Sequence, residues 1–429
     1  MIRRPPRSTQ GVSSAASDVY KRQMIIGLVS FHTCPKANLG EKDAGGMNVY
    51  LDNLARSLDL MGHTVYVFTR KHDFEESVEF SIGTRSKLVH INAGNQEVLK
   101  KDLIDLISEF SSNVQTYMVD EGIELEILHT HYWLSGLIGE LLSEIWEIPH
   151  VITFHTLAKT KLRALADGEE HFSRTDSEYK LMDSVDGILV LTQKEIQDIR
   201  ELYGEFSNKI AVVPPGIDLK MFYDCGIYTA RNELNIPRES KMILFVGRID
   251  PIKGLELLVR AVSLIASEKD VLLYIVGGGD EGDKYLSFIK SLVEKTGLVE
   301  KVIFTGPIAH DELRTYYNAA DVFVLPSHYE SLGFVAIEAM ACGTPVVASR
   351  VGGIPSVVDH GSTGYLIPWR CPEAFAGQIE VLLKNEDLSG FMSQQALKRS
   401  YSLSWDSTAK TVSHYYAEII SDVANIQFV

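Results

Sequence analysis

The sequence predicts an α/β fold of two doubly wound, Rossmann-like domains that face each other across a cleft. Short apolar, β-branched segments alternate with segments of helical periodicity, a pattern typical of parallel sheets with helices on both faces. The chain is also 429 residues long, which is more than one hydrophobic core usually serves. Two such domains, one after the other, account for both observations.

In the first domain, which we place at residues 24–225, each predicted strand is a short apolar run. These runs lie at 25–30, 64–69, 127–131, 150–156, 186–192 and 210–218. Leu51, Leu54 and Leu58 recur at helical spacing between the first two runs, and Gly62 follows as a helix end.

The second domain, placed at residues 226–403, repeats the alternation after the Pro-Pro-Gly sequence at 214–216. Its predicted strands lie at 242–250, 271–279, 301–306, 321–327 and 344–349. We expect residues 404–429 to form a helix that packs back on the first domain. Because ligands of doubly wound sheets bind at the carboxyl ends of the strands, the residues that follow these strands are candidates for a site.

The composition is that of a globular protein without a membrane span. Hydrophobic residues make up 45% of the chain and charged residues 23%, and no apolar stretch reaches the ~18–20 residues of a spanning helix. The net charge of −16 argues against a nucleic-acid partner. Four scattered cysteines favour a reducing, cytoplasmic location. The oligomeric state stays open, with a homodimer as one option.

The first 23 residues differ in character from the rest of the chain. They are rich in arginine and serine, and they contain no apolar core of a secretory signal. A transit peptide is one interpretation, and translated adapter sequence is the one that we favour. We therefore predict that residues 1–23 are disordered and without function, and that Met24 opens the first strand.

A glycine-rich loop, Asp43-Ala44-Gly45-Gly46-Met47-Asn48, joins the first predicted strand to the first helix. Paired glycines allow a close approach of the backbone, and a helix start offers unpaired N–H groups to an anion. Asp43 and Asn48 can contact hydroxyl groups. The loop lacks the GKS/T ending of a P-loop and the GxGxxG spacing of a dinucleotide fingerprint. The alternative is a tight turn that binds nothing.

A second loop, GRIDPIKG at residues 247–254, follows the first predicted strand of the second domain. Arg248 and Lys253 lie where a helix is predicted to start, a place that is unfavourable for cations unless an anion neutralises them. A guanidinium fork and a compact ammonium together suit a diphosphate. The alternative is a solvated helix start.

The segment HYESLGFVAIEAMACGTPVVAS, residues 328–349, places Glu330 before a predicted apolar helix and Glu338 within it. Eight helical residues correspond to ~12 Å of rise and a rotation of about 80° off one face. Two carboxylates at this separation do not share a proton, and we predict that they bind different parts of one extended ligand. The amides of residues 331–334 offer another anion site. The alternative is a helix cap plus a surface glutamate.

Histidines lie at the ends of two predicted strands, in His129-Thr130-His131-Tyr132-Trp133 and Phe154-His155-Thr156. They raise the alternative of a metal site, but neither an HExxH motif nor a cysteine partner accompanies them. We predict no metal and expect His155 to act at the cleft as a hydrogen-bond partner or a proton carrier.

Together these motifs resemble the retaining glycosyltransferases of family 4, which have the GT-B fold, over essentially residues 24–429. The resemblance rests on Glu330-x7-Glu338, on Arg248 with Lys253, and on the order of the motifs. DAGGMNVY, HYWLSG and HTLAKTK are similar to the branch that transfers GlcNAc from UDP-GlcNAc to inositol 3-phosphate, and sucrose-phosphate synthases share weaker versions. The resemblance implies a UDP-sugar donor, a small polar acceptor that is phosphorylated, and no required cofactor.

The resemblance also implies roles for individual residues. The catalytic residues that it implies are His155, Arg248, Lys253 and Glu330. The donor-binding residues are Gly45, Gly46, Arg248, Lys253, Glu330, Ser331, Leu332, Gly333, Phe334 and Glu338, of which Glu338 binds the ribose. The acceptor-binding residues are His32, Asp43, Asn48, Lys100, Tyr132, Thr156 and Arg174.

The retaining course of such enzymes is explained by attack of the acceptor from the leaving group's side, with a diphosphate oxygen taking the proton. Arg248, Lys253 and helix-start amides would stabilise the departing charge without a metal. Three other functions stay open at this point. They are a transferase similar to sucrose-phosphate synthase, a UDP-sugar epimerase of the same fold, and a nucleotide-sugar sensor without catalysis.

Overall fold

The computed structural model describes residues 22–37, 45–72, 77–95, 98–164, 172–265, 271–278 and 284–426. The predictions for residues 1–21 and for Asp43 lie outside the described residues. Arg22 forms an ion pair with Glu126 of the first domain, so the last residues of the predicted leader contact the fold.

The first domain is built on a sheet with eight strands in the described part of the chain. They are β1 (Ile25–Ser30), β2 (Thr64–Arg70), β3 (Glu79–Ser81), β4 (Lys87–Ile91), β5 (Ile127–His131), β6 (His150–Thr153), β7 (Gly187–Val190) and β8 (Lys209–Val212). The order is β3-β4-β2-β1-β5-β6-β7-β8, and all neighbours are parallel except β3 and β4. The helices are α1 (Gly46–Leu60), α2 (Ile107–Glu121), α3 (Trp133–Trp146), α4 (Ala158–Ala164), α5 (Phe172–Ser184) and α6 (Gln193–Leu202).

The second domain is built on a sheet with six strands among the described residues. They are β9 (Lys241–Val246), β10 (Val271–Val276), β11 (Val302–Gly306), β12 (Val322–Leu325), β13 (Val346–Ser349) and β14 (Gly364–Ile367), in the parallel order β11-β10-β9-β12-β13-β14. The helices are α7 (Ile227–Glu233), α8 (Leu255–Ile265), α9 (Lys284–Lys295), α10 (Leu313–Ala319), α11 (Phe334–Ala341), α12 (Ile354–Val357), α13 (Pro372–Lys384) and α14 (Glu386–Tyr401). The predicted fold class, two parallel-sheet α/β domains, is confirmed.

The strand order of each sheet reverses next to the first strand of its domain. β1 lies between β2 and β5, and β9 lies between β10 and β12. At such a point the connections from the two neighbouring strands run to opposite sides of the sheet. A crevice therefore opens there at the carboxyl ends of the strands. The loops that follow β1, β5, β9 and β12 carry His32, Tyr132, Arg248 and Glu330, respectively.

The last helix, α15 (Trp405–Ile426), packs on the first domain. The Tyr416 hydroxyl shares a hydrogen bond with Nδ1 of His129 at 2.6 Å, and the Tyr415 hydroxyl donates to the carbonyl of Lys209 at 2.5 Å. Just before the helix, Ser404 bridges to Ile217 of the segment that enters the second domain. The two segments of the chain that pass between the domains, around Ile217 and Ser404, therefore lie side by side.

Among the described residues, no helix combines the length and the apolar character that a membrane span needs.

Candidate active site

A cavity of about 610 Å³, here called the histidine cavity, lies between the carboxyl ends of the two sheets. It brings together most of the residues that the sequence singled out. The predicted site residues that line it are His32, Gly45, Gly46, Asn48, Lys100, Tyr132, His155, Thr156, Arg174, Arg248, Lys253, Glu330, Ser331, Gly333 and Phe334. Residues that are far apart in the sequence thus share one concave surface.

Two of the described predicted site residues, Leu332 and Glu338, do not line the histidine cavity. Asp43 lies outside the described residues. The side chain of Leu332 is 2% exposed and belongs to the hydrophobic core, so only its backbone amide is available for the predicted donor contact. Glu338 lines a neighbouring cavity of about 690 Å³, here called the Glu338 cavity.

The Glu338 carboxylate is held from two sides. Nε2 of His310 lies 2.8 Å from one of its oxygens, and the Tyr317 hydroxyl donates to the other at 2.8 Å. Burial is the largest single influence on the pKa of His310 and lowers it, but the charge of Glu338, its hydrogen bond and the nearby aspartates together raise this pKa above its ordinary value. The two contacts fix the orientation of the carboxylate.

Phe334, at the start of α11, lies between the two cavities and lines both of them. Its ring stacks against Trp405 with a centroid distance of 6.4 Å. A Cβ atom on Gly46 would come within 2.9 Å of the Phe334 ring, so the glycine lets the starts of α1 and α11 approach each other. Backbone N–H groups from both domains therefore meet beside this ring.

Lys253 and Glu330 come from loops after β9 and β12, and their charged groups form an ion pair. Ser327 also donates to Glu330 at 3.3 Å. The sequence predicted that the loop at 247–254 opens a helix. In the structure Lys253 ends a short 3₁₀ turn, Pro251–Lys253, and α8 begins two residues later, at Leu255. Asp250 caps this turn by accepting from the amide of Ile252 at 2.9 Å. The turn and the ion pair together hold the ammonium group at the cavity.

Asn48 lines both cavities, but its side chain is engaged with the protein. Its Nδ2 donates to the Thr33 hydroxyl at 2.8 Å and to the Cys34 carbonyl at 2.6 Å, and its Oδ1 accepts from the amide of Gly45 at 2.9 Å. The side chain therefore links the start of α1 to the loop after β1. The predicted contact of Asn48 with the acceptor stays a prediction.

His155 lies at the centre of a strained turn. Its φ is +59°, and the amide of Thr156 donates to the carbonyl of Phe154 at 2.7 Å across it, which defines a γ-turn of the rare positive-φ type. Nε2 of His155 shares a hydrogen bond with Nδ1 of His131 at 3.0 Å. Burial lowers the pKa of His155 to about 3. The imidazole is thus neutral near pH 7, which favours the hydrogen-bond role over that of proton carrier.

Cationic side chains surround Tyr132, which has a φ of +77° and directly precedes α3. The ammonium of Lys100 lies 5.3 Å from the ring centroid, and the guanidinium of Arg174 lies 4.9 Å from it. His32 packs against the same ring at 4.3 Å. Burial lowers the pKa of His32 well below its ordinary value, and the charge of Lys100 lowers it further. This end of the cavity is suited to an anion.

The charge of the histidine cavity is opposite in sign to that of the whole chain, which is −16. Among the described lining residues, the carboxylates are Asp250 and Glu330, and both are already engaged. The cations are Lys100, Lys101, Lys161, Arg174, Arg248 and Lys253. Within the described ranges, no group of three or more His, Cys, Asp or Glu residues is arranged to hold a metal ion.

Sequence reasoning missed several residues that shape the site. His310 follows β11, so the rule that ligands gather after strands provided a signal for it. Glu178 lies four residues after Arg174 on α5 and forms an ion pair with it at 2.8 Å, a spacing that was visible in the sequence. Trp405 carries no local signal, because its place beside Phe334 follows from the packing of α15.

Two family models match the chain. The model described as Glycosyltransferase Family 4 matches residues 44–221, and the one described as Glycosyl transferases group 1 matches residues 227–399. D-inositol 3-phosphate glycosyltransferase of Corynebacterium jeikeium is 37% identical over 92% of this chain and 97% of its own length. The enzyme of the same name from Kineococcus radiotolerans is also 37% identical, over 93% and 96% of the two chains.

Solved structures agree with this result. Sucrose-phosphate synthase from Thermosynechococcus elongatus has a TM-score of 0.87 and 31% identity, and the match covers 94% of this chain and all of that one. Anabaena Alr3699/HepE, in complex with UDP and glucose, has a TM-score of 0.73 at 18% identity, over 92% and 99% of the two chains, and it supports the fold alone. The chain therefore belongs to the family 4 glycosyltransferases and is a hexosyltransferase with the GT-B fold.

Proposed function

We propose that this protein transfers GlcNAc or glucose, with retention, from a UDP-sugar to a small phosphorylated polyol such as inositol 3-phosphate. The observation that carries the proposal is the presence of two separate groups of cations in one cavity. Arg248 and Lys253 come from the second domain, and Lys100 and Arg174 flank Tyr132 in the first. A diphosphate at one end and a phosphate at the other match this arrangement.

The donor end extends across both cavities. The nucleoside fits the Glu338 cavity, where the carboxylate held by His310 and Tyr317 accepts hydrogen bonds from ribose hydroxyls. The diphosphate lies beside Arg248, Lys253 and the first amides of α11. The sugar then points into the histidine cavity, towards Glu330 and His155. Anabaena Alr3699/HepE, which shares the fold, has been solved with UDP and with UDP-glucose.

The acceptor end is the part of the histidine cavity that the first domain lines. Lys100 and Arg174 provide positive charge, and the ring of Tyr132 between them limits the space. The relatives that share 37% identity carry the name D-inositol 3-phosphate glycosyltransferase, which supports inositol 3-phosphate over other phosphorylated acceptors.

The chemistry that we propose is stabilisation of charge on the leaving diphosphate. Arg248, Lys253 and helix-start amides neutralise it as the sugar–phosphate bond breaks. The acceptor hydroxyl attacks from the same face, and its proton passes to a diphosphate oxygen. Glu330 is paired with Lys253 and neutral His155 is a weak base, so neither is assigned proton transfer.

A donor-by-acceptor screen with product detection by mass spectrometry tests the proposal. UDP-GlcNAc and UDP-glucose are each offered with inositol 3-phosphate, free inositol, fructose 6-phosphate and simple lipids. We expect one pair with inositol 3-phosphate to turn over fastest, with the α-linkage of the donor retained. Faster transfer to free inositol or to a lipid would contradict the phosphorylated acceptor.

We also expect full activity in EDTA, because the cations of the protein neutralise the diphosphate. Chelator-sensitive activity that added Mg²⁺ restores would instead show that a metal shares this task.

A second candidate is transfer to fructose 6-phosphate, favoured by the 31% identity and TM-score of 0.87 to sucrose-phosphate synthase. The same screen separates it from inositol 3-phosphate. Epimerisation of the UDP-sugar is tested by incubating UDP-GlcNAc without an acceptor and analysing the products for an epimer.

A further inference from the structure

Glu178 of α5 is a fully buried carboxylate behind the acceptor end of the histidine cavity, and three groups donate to it. The amide of Ala158 lies 3.0 Å from one of its oxygens, Nε of Arg174 lies 2.8 Å from the other, and the Tyr203 hydroxyl also donates. These donors belong to α4, α5 and the residue that follows α6. The carboxylate therefore joins three elements of the first domain.

Arg174 extends this connection to the cavity. While its Nε is held by Glu178, its Nη2 donates to the carbonyl of Thr156 at 2.7 Å and to the Thr156 hydroxyl at 3.1 Å. Thr156 is the last residue of the γ-turn that holds His155 at positive φ. The face of the same guanidinium lies over the ring of Tyr132. One arginine thus contacts both the strained turn and the acceptor-side tyrosine.

A positive-φ γ-turn at a residue other than glycine is costly and persists only where surrounding contacts fix it. On its carboxyl side, the turn at Phe154–Thr156 is fixed by Arg174 at Thr156 and by Glu178 at Ala158. Both contacts depend on the Glu178 carboxylate, because Arg174 is oriented by it. Loss of the carboxylate would release the turn and the guanidinium together.

We propose that Glu178 is a positioning residue of the transferase: through Arg174 and the amide of Ala158 it fixes the turn that presents His155 and the cation that faces the acceptor. The inference rests on the proposed function, because it assigns Arg174 and His155 to the transfer site. Glu178 itself is fully buried and does not line the histidine cavity, so its effect on the reaction passes through these two residues.

The test compares Glu178→Gln with Tyr203→Phe. Gln has nearly the same shape, but it has no charge to hold Arg174. Tyr203→Phe removes another donor to the same carboxylate and leaves the contacts with Arg174 and Ala158 in place. We expect Glu178→Gln to lower kcat/KM for transfer by roughly 100-fold, the scale of a small misplacement at a reacting centre. We expect Tyr203→Phe to stay within about threefold of the wild type.

Calorimetric titration with UDP separates a loss of folded protein from a loss of catalysis, because turnover can then be expressed per UDP-binding site. Because the proposed UDP site lies mainly in the second domain, the affinity and stoichiometry of UDP report the fraction of folded protein in each preparation. Turnover of Glu178→Gln per UDP-binding site should still be lost. The double variant Arg174→Gln/Glu178→Gln, which leaves no uncompensated charge, should be as slow per site.

Two outcomes would overturn the inference: transfer by Glu178→Gln within about threefold of the wild type per UDP-binding site, or an equal loss in Tyr203→Phe. Hydrolysis of the UDP-sugar without an acceptor is measured alongside, and the same fall is expected because His155 lies beside the sugar. A wild-type protein that hydrolyses the donor but does not use inositol 3-phosphate contradicts the proposed acceptor, and the comparison of variants then proceeds on hydrolysis.

Discussion

The ion pair of Lys253 with Glu330 brings opposite charges from two loops to one point of the cavity. In this arrangement each group fixes the orientation of the other. A diphosphate that approaches Lys253 competes with the carboxylate for the ammonium group. The residue is therefore already in place when charge develops on the leaving group, which is the condition for effective electrostatic stabilisation.

We predict that Lys253→Ala lowers kcat by about 100-fold or more, because one charge that stabilises the leaving group is lost. The measurement is steady-state turnover of the UDP-sugar at saturating acceptor. Lys410→Ala, which breaks a surface ion pair with Asp406, is the matched control and should behave as wild type. Normal turnover by Lys253→Ala would rule out the mechanism.

His310 is a residue whose importance becomes visible only through its contact with Glu338. We predict that His310→Gln raises the KM for the UDP-sugar by about tenfold with little change in kcat. The reason is that the substitution weakens the hydrogen bond that orients the Glu338 carboxylate towards the ribose hydroxyls. The control is His414→Gln, which alters a surface histidine–glutamate pair on α15. An unchanged donor KM in His310→Gln would show that Glu338 is held without the histidine.

At the scale of elements, the site depends on how closely the starts of α1 and α11 approach. Gly46 and the Phe334 ring define this contact, which joins the two domains. The neighbouring Gly45 has open space where its Cβ would lie, and its φ of −176° is available to any residue. An added methyl group would therefore press on the Phe334 ring at Gly46 but would meet open space at Gly45.

We predict that Gly46→Ala weakens donor binding by about tenfold, since the methyl group displaces Phe334 from its place between the cavities. Gly45→Ala retains the backbone amide and should bind UDP as the wild type does. Calorimetric titration with UDP measures both variants. Equal affinities of the two alanine variants for UDP would show that the close contact between the starts of α1 and α11 does not matter for donor binding.

The sequence predicted where most strands begin and where β1, β5, β11 and β13 end, but several other predicted segments extend too far. Predicted segments such as 150–156, 242–250 and 321–327 run past the strands β6, β9 and β12 by several residues. The extra residues are the loops that build the site, and apolar character continues into them without the pairing that defines a strand. β3, β4 and β14 were not predicted, and of these β3 is a strand of three residues at a sheet edge.

The candidate site was predicted to the extent that its residues lie in local motifs. Arg248, Lys253 and Glu330 stand in the loops that follow strand ends, and the cationic side chains of Arg248 and Lys253 indicate anion binding directly. Glu178 and Trp405 owe their places to tertiary contacts with residues distant in sequence, which periodicity does not reveal. Local sequence motifs therefore predict the residues that face the cavity better than the residues that hold them in place.

Across the whole molecule, buried histidines are concentrated in the first domain. Burial lowers the pKa of His150 and of His155 to about 3. The others with strongly lowered pKa values are His32, His129 and His131. The folded protein therefore holds these imidazoles neutral under conditions in which the unfolded chain would protonate them.

We predict that the free energy of unfolding falls as the pH drops below about 6.5, because the unfolded chain then binds protons that the folded state refuses. Each such histidine contributes a slope of up to about 1.4 kcal/mol per pH unit, and the contribution is constant well above pH ~6.5. Urea titrations between about pH 7 and pH 5 measure the fall. His150→Gln should flatten it by about one proton, and an unchanged slope would contradict the assignment.

The place of α15 has a consequence for the order in which the protein matures on the ribosome. Domains generally fold as their residues emerge, with the amino-terminal one first. Here the first domain receives Tyr415 and Tyr416 from the far end of the chain, against Lys209 and His129. Until translation passes residue 416, that domain exposes the surface that α15 will cover. A nascent chain that stalls in the second domain therefore presents an unfinished first domain to chaperones.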